Sequence, residues 1–242
     1  MDHADFKVLM NRGASGGGGG VVPPTAPLAV ADYKNGIYSI GGVSKTYAQM
    51  WTNGGYVGPP FGTPIITPGV GWEAATVNGV FTNFYAQATP ELFAALNVAA
   101  GVSFIMDFYL DADAAAKCNM NLGAVVNDTT KGAWVASASC DSTDIDMNLF
   151  GDYYGTLTDT ESFMEGQHRA AASFSLAELA ISTDGGPNMS CPTDGLAVVG
   201  GYYYNSIMPD GRGEPYGLAR GVIQKITYYP LIPSAQLPTY SA

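Results

Sequence analysis

Charged side chains are scarce in this sequence of 242 residues, at 13% against 47% for apolar ones. Globular domains ordinarily carry about 25% charge, so the surface must be built largely from neutral polar groups. Basic residues are the scarcest: ten Lys and Arg stand against 21 Asp and Glu, a formal net charge of −11. They are scattered and form no basic stripe. That excludes the nucleic-acid backbone as a partner and removes any attraction to an anionic membrane. Surplus negative charge of this kind keeps a protein soluble. No apolar run approaches the ~20 residues of a membrane-spanning helix, so no membrane insertion is expected. The first twenty residues, MDHADFKVLMNRGASGGGGG, lack the basic start and apolar centre of a signal peptide. Synthesis in a cytoplasm is expected.

The residues of nucleophilic and metal chemistry are equally sparse. His3 and His168 are the only histidines, and Cys118, Cys140 and Cys191 the only cysteines. No CxxC or Cys/His metal spacing occurs. Cys118 and Cys140 either pair across neighbouring strands or remain buried thiols. No GxSxG elbow is present, and GGVSKT (41–46) lacks the Gly-Lys-Ser/Thr order of a phosphate loop. A hydrolytic triad needs a base beside its nucleophile; His168, next to Arg169 at the start of a predicted strand, suits a surface or strand-edge role. The expectation is therefore no catalytic residue, no bound metal and no cofactor. Carboxylates are the one reservation. Asp144, Asp146 and Asn148 alternate with Ile145, Met147 and Leu149, which puts oxygen-bearing groups on one strand face. Calcium uses such groups, but an amphipathic strand with its polar face in water explains the pattern fully. Asp107, Asp111 and Asp113 read as a polar strand end and turn. A glycosidase needs two carboxylates at a set separation, which sequence does not measure.

Turn formers and strand formers are plentiful: 31 Gly, 15 Pro and 15 Tyr. This balance points to an all-β, antiparallel sandwich. Residues 1–30 stand apart. Phe6, Val8, Leu9 and Met10 form a short apolar segment, followed by five glycines (16–20) and the proline-rich VVPPTAPLAV. A flexible swivel and a stiff spacer behind an apolar end read as an N-terminal docking arm. Residues 31–242 read as one sandwich domain. Asn35-Gly36 and Asn78-Gly79 are hairpin turn signals. Thr89 to Gly101 is the one predicted helix, with Thr89 as cap, Pro90 at the first position, and Leu92, Phe93 and Leu96 on one face. Val102 to Leu110 predicts a central strand, GAWVASASC and DIDMNLF half-buried strands, and HRAAASFSLAELAISTDGG a strand pair ending at Asp184-Gly185. Some dozen short strands without a strand-helix-strand rhythm favour a jelly roll.

Tyr202, Tyr203 and Tyr204 are the leading binding candidates, with Asp210 and Arg212 in the Gly/Pro-rich loop that follows. Three successive tyrosines on a strand cannot all face inward. An exposed ring beside Asn, Asp and Arg suits the flat faces and hydroxyls of a sugar. Tyrosines at a strand end also serve packing or subunit contact, the commoner use.

The chain closes on GVIQKITYYPLIPSAQLPTYS (221–241), whose regular alternation predicts Ile223, Lys225, Thr227 and Tyr229 on one face, and Val222, Gln224, Ile226 and Tyr228 on the other. This ending, with HRAAASFSLAELAISTDGG and LAVVGG before it, resembles the end of concanavalin-like (laminin-G-like) jelly-roll modules on tailed-bacteriophage virion proteins. Gly221, Ile223, Ile226, Tyr228, Tyr229, Pro230, Ser234 and Leu237 carry the likeness. LAVADYKNGIYSIGGVSKTYAQMWT (28–52) is similar to the first strand of the same modules. Ile232-Pro233 and Pro238 depart from the pattern and predict a final helix that is short or absent.

The resemblance implies a non-enzymatic virion component, made in the host cytoplasm and docked to other virion proteins through Phe6, Val8, Leu9 and Met10. It implies a homo-oligomer, a trimer being one arrangement, with a host surface glycan as candidate ligand. Two positions follow: a tail-fibre or baseplate component, or a capsid decoration protein. A polysaccharide-degrading enzyme on the same sandwich, using Asp107 or Asp144, is the outlying alternative.

Overall fold

The computed structural model describes residues 26–53, 65–73, 76–77, 80–81, 84–98, 100–110, 124–126, 132–135, 145–150, 156–159, 166–175, 177–192, 202–207 and 221–242. The chain opens with β1 (Ala29–Asp32), β2 (Ile37–Ile40) and β3 (Val43–Lys45), then a one-turn helix, α1 (Tyr47–Met50), and β4 (Trp51–Asn53). Two hairpins follow, β5 (Ile65–Thr67) with β6 (Gly71–Glu73) and β7 (Thr76–Val77) with β8 (Val80–Phe81). β9 (Phe84–Ala88), α2 (Pro90–Leu96) and β10 (Val102–Leu110) come next. Then come β11 (Ala124–Val126), β12 (Gly132–Val135), β13 (Ile145–Phe150) and β14 (Thr156–Asp159). β15 (Gly166–Phe174), β16 (Glu178–Thr183), β17 (Met189–Pro192), β18 (Tyr202–Ile207) and β19 (Gly221–Pro230) are the remaining strands among the described residues. A 3-10 turn (Ser234–Gln236) and α3 (Leu237–Ser241) end the chain.

The strands form an antiparallel sandwich. One sheet runs β17-β16-β15-β10-β19-β1-β2-β3, with the β5–β6 hairpin added beside β19. The other has seven strands in the order β14-β13-β12-β11-β18-β9-β4. β10 lies mid-sheet between β15 and β19, the central place its sequence predicts. β1 already includes Ala29 and Val30, two residues that the composition groups with the arm.

Strand periodicity builds the core. Val102, Phe104, Met106 and Phe108 alternate into it from β10, met by Ala170 and Ala172 from β15 and by Ile226 and Tyr228 from β19. Trp51 and Ala88 come from the second sheet, and Met50, Leu92 and Leu96 from the helices. Each large apolar side chain buried there stabilises the fold by roughly 1.5–3 kcal/mol. Local signals place the ends. The Asp32 carboxylate accepts hydrogen bonds from the Asn35 backbone N–H and side-chain amide, both at 2.9 Å, and Gly36 takes φ 67°. That closes the β1–β2 loop. Asp184 and Gly185 are both left-handed (φ 48° and 72°), and Gly186 N–H donates to the Thr183 carbonyl at 2.8 Å. Thr89 caps α2 by accepting from Leu92 N–H at 3.4 Å, with Pro90 at the first position.

The closing strand departs from its predicted alternation. Asp107 pairs with Lys225 but Phe108 pairs with Ile223, so Gln224 has no counterpart on β10. This bulge resets the phase. Ile223 joins Ile226 and Tyr228 in the core, where strict alternation puts it on the opposite face. At the bulge β19 also changes neighbour, from β1 (Asp32 opposite Lys225) to β6 (Trp72 opposite Ile223). The Gln224 carbonyl accepts from Lys34 N–H at 3.0 Å. The final helix is present but short. Ile232 and Leu237 pack on Ala171 and Ala180, roofing the outer side of β15 and β16. Ser103 Oγ accepts from Ile232 N–H at 2.8 Å, and Ser182 and Ser241 hydroxyls bond at 2.8 Å.

Candidate functional site

The seven-stranded sheet positions the predicted tyrosines. β18 pairs with β11, placing Tyr202, Tyr203 and Tyr204 opposite Val126, Val125 and Ala124. On its other side Tyr204 stands opposite Gln87 of β9. Next to Gln87, Ala88 pairs with Trp51, and both are buried in the core. Successive strand residues alternate between faces. Ala88 therefore marks the core face, and Gln87 the outer one. By this register Tyr202 and Tyr204 share the outer face and Tyr203 falls on the core face.

The row through Tyr204 crosses the whole sheet: Thr52, Gln87, Tyr204, Ala124, Trp134, Asn148 and Thr156 stand in register from β4 to β14. The neighbouring core-face row is Tyr203, Val125, Ala133 and Leu149. Asp146 is in register with Thr158 and shares the face of Asn148, as its alternation predicts. Sequence alone does not single out Trp134 and Gln87. Gly132-Ala133-Trp134-Val135 carries no polar/apolar alternation to reveal its phase, and only the pairing with distant β11 supplies it.

The remaining predicted site residues lie outside the described residues: Asp210 and Arg212 of the loop, and Phe6, Val8, Leu9 and Met10 of the arm. So do Asp111, Asp113, Asp144, Cys118 and Cys140.

Asp107 is committed elsewhere. It lies on the outer side of β10, and its Oδ1 accepts from Arg169 Nε at 2.5 Å. That bond holds the guanidinium pKa above its ordinary value. In register, Asp32, Lys225, Asp107 and Arg169 form a row of alternating charge across four strands. Within this ladder the Asp107 carboxylate pairs with Arg169. Of the surface or strand-edge role expected of His168, the edge fits the structure: His168 lies in β15 beyond Ala170, where pairing with β16 begins, and its side chain is 11% exposed. The ring stacks on Phe108 at 5.5 Å, and Nδ1 lies 2.6 Å from Asp184 Oδ2. Among the described residues no group of three His, Cys, Asp or Glu is placed to hold a metal ion, and no helix is long and apolar enough to cross a membrane.

No protein-family model matches the chain. No curated protein matches it either. Solved structures do. The receptor-binding domain of botulinum neurotoxin C/D mosaic serotype superimposes with a TM-score of 0.58 at 9% identity, over 88% of this chain and 50% of that one. A structure described for endo-acting O-glycanases that human gut microbiota express to initiate mucin breakdown gives 0.57 at 11%, over 86% and 100%. Trypanosoma rangeli sialidase in complex with sialic acid gives 0.50 at 13%, over 91% and 33%. The chain thus spans half the toxin domain, a third of the sialidase and the full length of the O-glycanase structure. At such identities the likeness is one of architecture, and with the two paired sheets it establishes an antiparallel β-sandwich of the jelly-roll kind.

Proposed function

We propose that this protein is a non-enzymatic recognition module of a bacteriophage particle. Residues 1–30 dock it to other virion proteins, and the outer face of the seven-stranded sheet binds a host surface glycan. The observation that carries the binding part is the register that sets Tyr202 and Tyr204 on the face opposite Trp51 and Ala88. Aromatic and amide-bearing residues in one register row suit sugar rings, which present an apolar face and a rim of hydroxyls. The particle assignment rests on the resemblance of residues 221–241 and 28–52 to phage jelly-roll modules. The lack of an enzymatic role is supported by Asp107, which is spent on Arg169.

Two measurements test the reading. A glycan array probed with the full chain should show binding that Tyr204→Ala removes and Tyr203→Phe retains. Deleting residues 1–20 should abolish incorporation into particles while leaving the sandwich folded. Binding to empty capsids with raised particle stability, and no glycan binding, would favour capsid decoration instead. Release of reducing sugar from a host polysaccharide, lost in Asp144→Asn, would replace the reading with a glycosidase.

A further inference from the structure

The loop between β1 and β2 sets a chemically labile pair, Asn35-Gly36, beside a nearly buried carboxylate. We propose that Asn35 is a site of spontaneous modification through a succinimide, that Asp32 holds the reaction back, and that conversion unlocks the loop from β19. The site is independent of any ligand the sandwich binds.

The chemistry needs only this chain and water. The Gly36 backbone nitrogen, losing its proton, bonds to the Asn35 side-chain carbonyl carbon, and the amide nitrogen leaves as ammonia. Water then opens the ring at one of its two carbonyls. The product is aspartate or, with the chain rerouted through the side chain, isoaspartate; nothing is oxidised or reduced. Glycine permits the attack because no Cβ crowds its nitrogen, and asparagine is among the thermolabile residues. Asn35 and Gly36 are both exposed, so water reaches them. Gly36 sits at φ +67° with nothing within 4 Å of the place a Cβ would take.

Asp32 opposes the first step. It is only 7% exposed, and its two oxygens are divided between two donors of one residue. Oδ1 accepts from the Asn35 backbone N–H and Oδ2 from the Asn35 side-chain amide, both at 2.9 Å. The side chain is thereby folded back on Asp32, whereas ring closure requires it to swing to the Gly36 nitrogen. That swing breaks the second bond, and bonds to an ionised acceptor are the stronger kind.

The consequence follows from what the loop carries. Lys34 N–H donates to the Gln224 carbonyl at 3.0 Å, and the Lys34 carbonyl accepts from Gly69 N–H at 2.8 Å. The loop thus ties the bulge of β19 to the β5–β6 hairpin. A carboxylate at position 35 cannot donate to Asp32 and repels it. Isoaspartate also lengthens the backbone of the short loop 33–36.

The full chain is incubated at neutral pH, folded and in urea. Asn35 is followed by peptide mass spectrometry, through the amide-to-acid gain, and by isoaspartyl methyltransferase labelling. Conversion should be at least ~10-fold slower in the folded chain, about 1.4 kcal/mol of barrier. Asp32→Asn keeps one oxygen for the backbone N–H and removes the acceptor of the side-chain amide; Asp32→Ala removes both. Each should recover most of that factor while folded, and Asn53-Gly54 and Asn78-Gly79, read in the same digest, should keep their natural rates. Where Asp32→Ala fails to fold, Asp32→Asn, which keeps the shape, decides. A general loosening speeds all three pairs, so uniform acceleration overturns the proposal. So does conversion at Asn35 as fast folded as in urea, or a slow rate that survives Asp32→Asn. Asn35→Asp, and the isoaspartyl form separated after incubation, should both unfold at lower urea than the natural chain; unchanged midpoints overturn the unlocking.

Discussion

Replacing Gly71 with alanine tests the account of the bulge most directly. Gly71 opens β6 where the β5–β6 hairpin docks on β19, at φ +134°. A Cβ there would lie 2.5 Å from the Ile223 carbonyl oxygen, 2.8 Å from Val222 Cγ1 and 3.1 Å from Gln224 Cα. Two costs add. Holding an L-residue at such a φ costs roughly 1–3 kcal/mol. Relieving the overlap means moving a carbonyl fixed by the ladder, so the Val222–Glu73 and Ile223–Trp72 pairings weaken. Each hydrogen bond lost removes about 1 kcal/mol, and fully buried Trp72 loses packing as well. The total is about 3–5 kcal/mol. Gly69 is the control: its φ is also positive, +82°, but nothing lies within 4 Å of the place a Cβ would take. Gly69→Ala should cost only the backbone term, about 1–2 kcal/mol. Urea unfolding followed by tryptophan fluorescence measures both. If the two variants agree within about 1 kcal/mol, the close approach of hairpin to bulge contributes nothing and the reasoning fails.

Three further outcomes are expected. Leu237→Ala should cost about 3 kcal/mol in the same unfolding assay, because Leu237 is fully buried against Ala171 and Ala180, whose short side chains cannot collapse into the space left. A double-mutant cycle on Asp107 and Arg169 should give a coupling of only about 0.5 kcal/mol that fades with added salt, since these side chains are 22% and 45% exposed. Burial raises the Tyr47 and Tyr38 phenols above their ordinary value of 10.0. Their contribution to stability is complete below pH 10 and lost above it, because the unfolded chain ionises first. Urea midpoints should therefore be flat below pH 10 with respect to these groups and fall above it, less steeply in Tyr47→Phe.

What the sequence discloses follows the range of the interaction concerned. The Asp32–Ile37 loop, the α2 cap and the Asp184-Gly185 turn are settled within a few residues by side chains that bond their own backbone, so they are legible directly. So is β10, whose apolar run leaves no other place for it than mid-sheet. The bulge at Gln224 is not legible, because Ile223 is displaced by β6, some 150 residues earlier in the chain. His168 reads as a surface or strand-edge residue, and its contacts with Phe108 and Asp184 come from two other elements. The candidate site divides the same way. Alternation alone says that Tyr202–Tyr204 cannot all face inward, but which of them shares a face with Trp134 is decided by two successive strand pairings.

The change of neighbour along β19 has a consequence for how this protein tolerates variation. Its ten residues behave as two short segments spliced at Gln224, one answering to the β5–β6 hairpin and the other to β1. Lys225–Tyr228 pair with β1 without involving β6, so a change that dislodges the hairpin strikes the Val222–Ile223 end first and leaves that register its own partners.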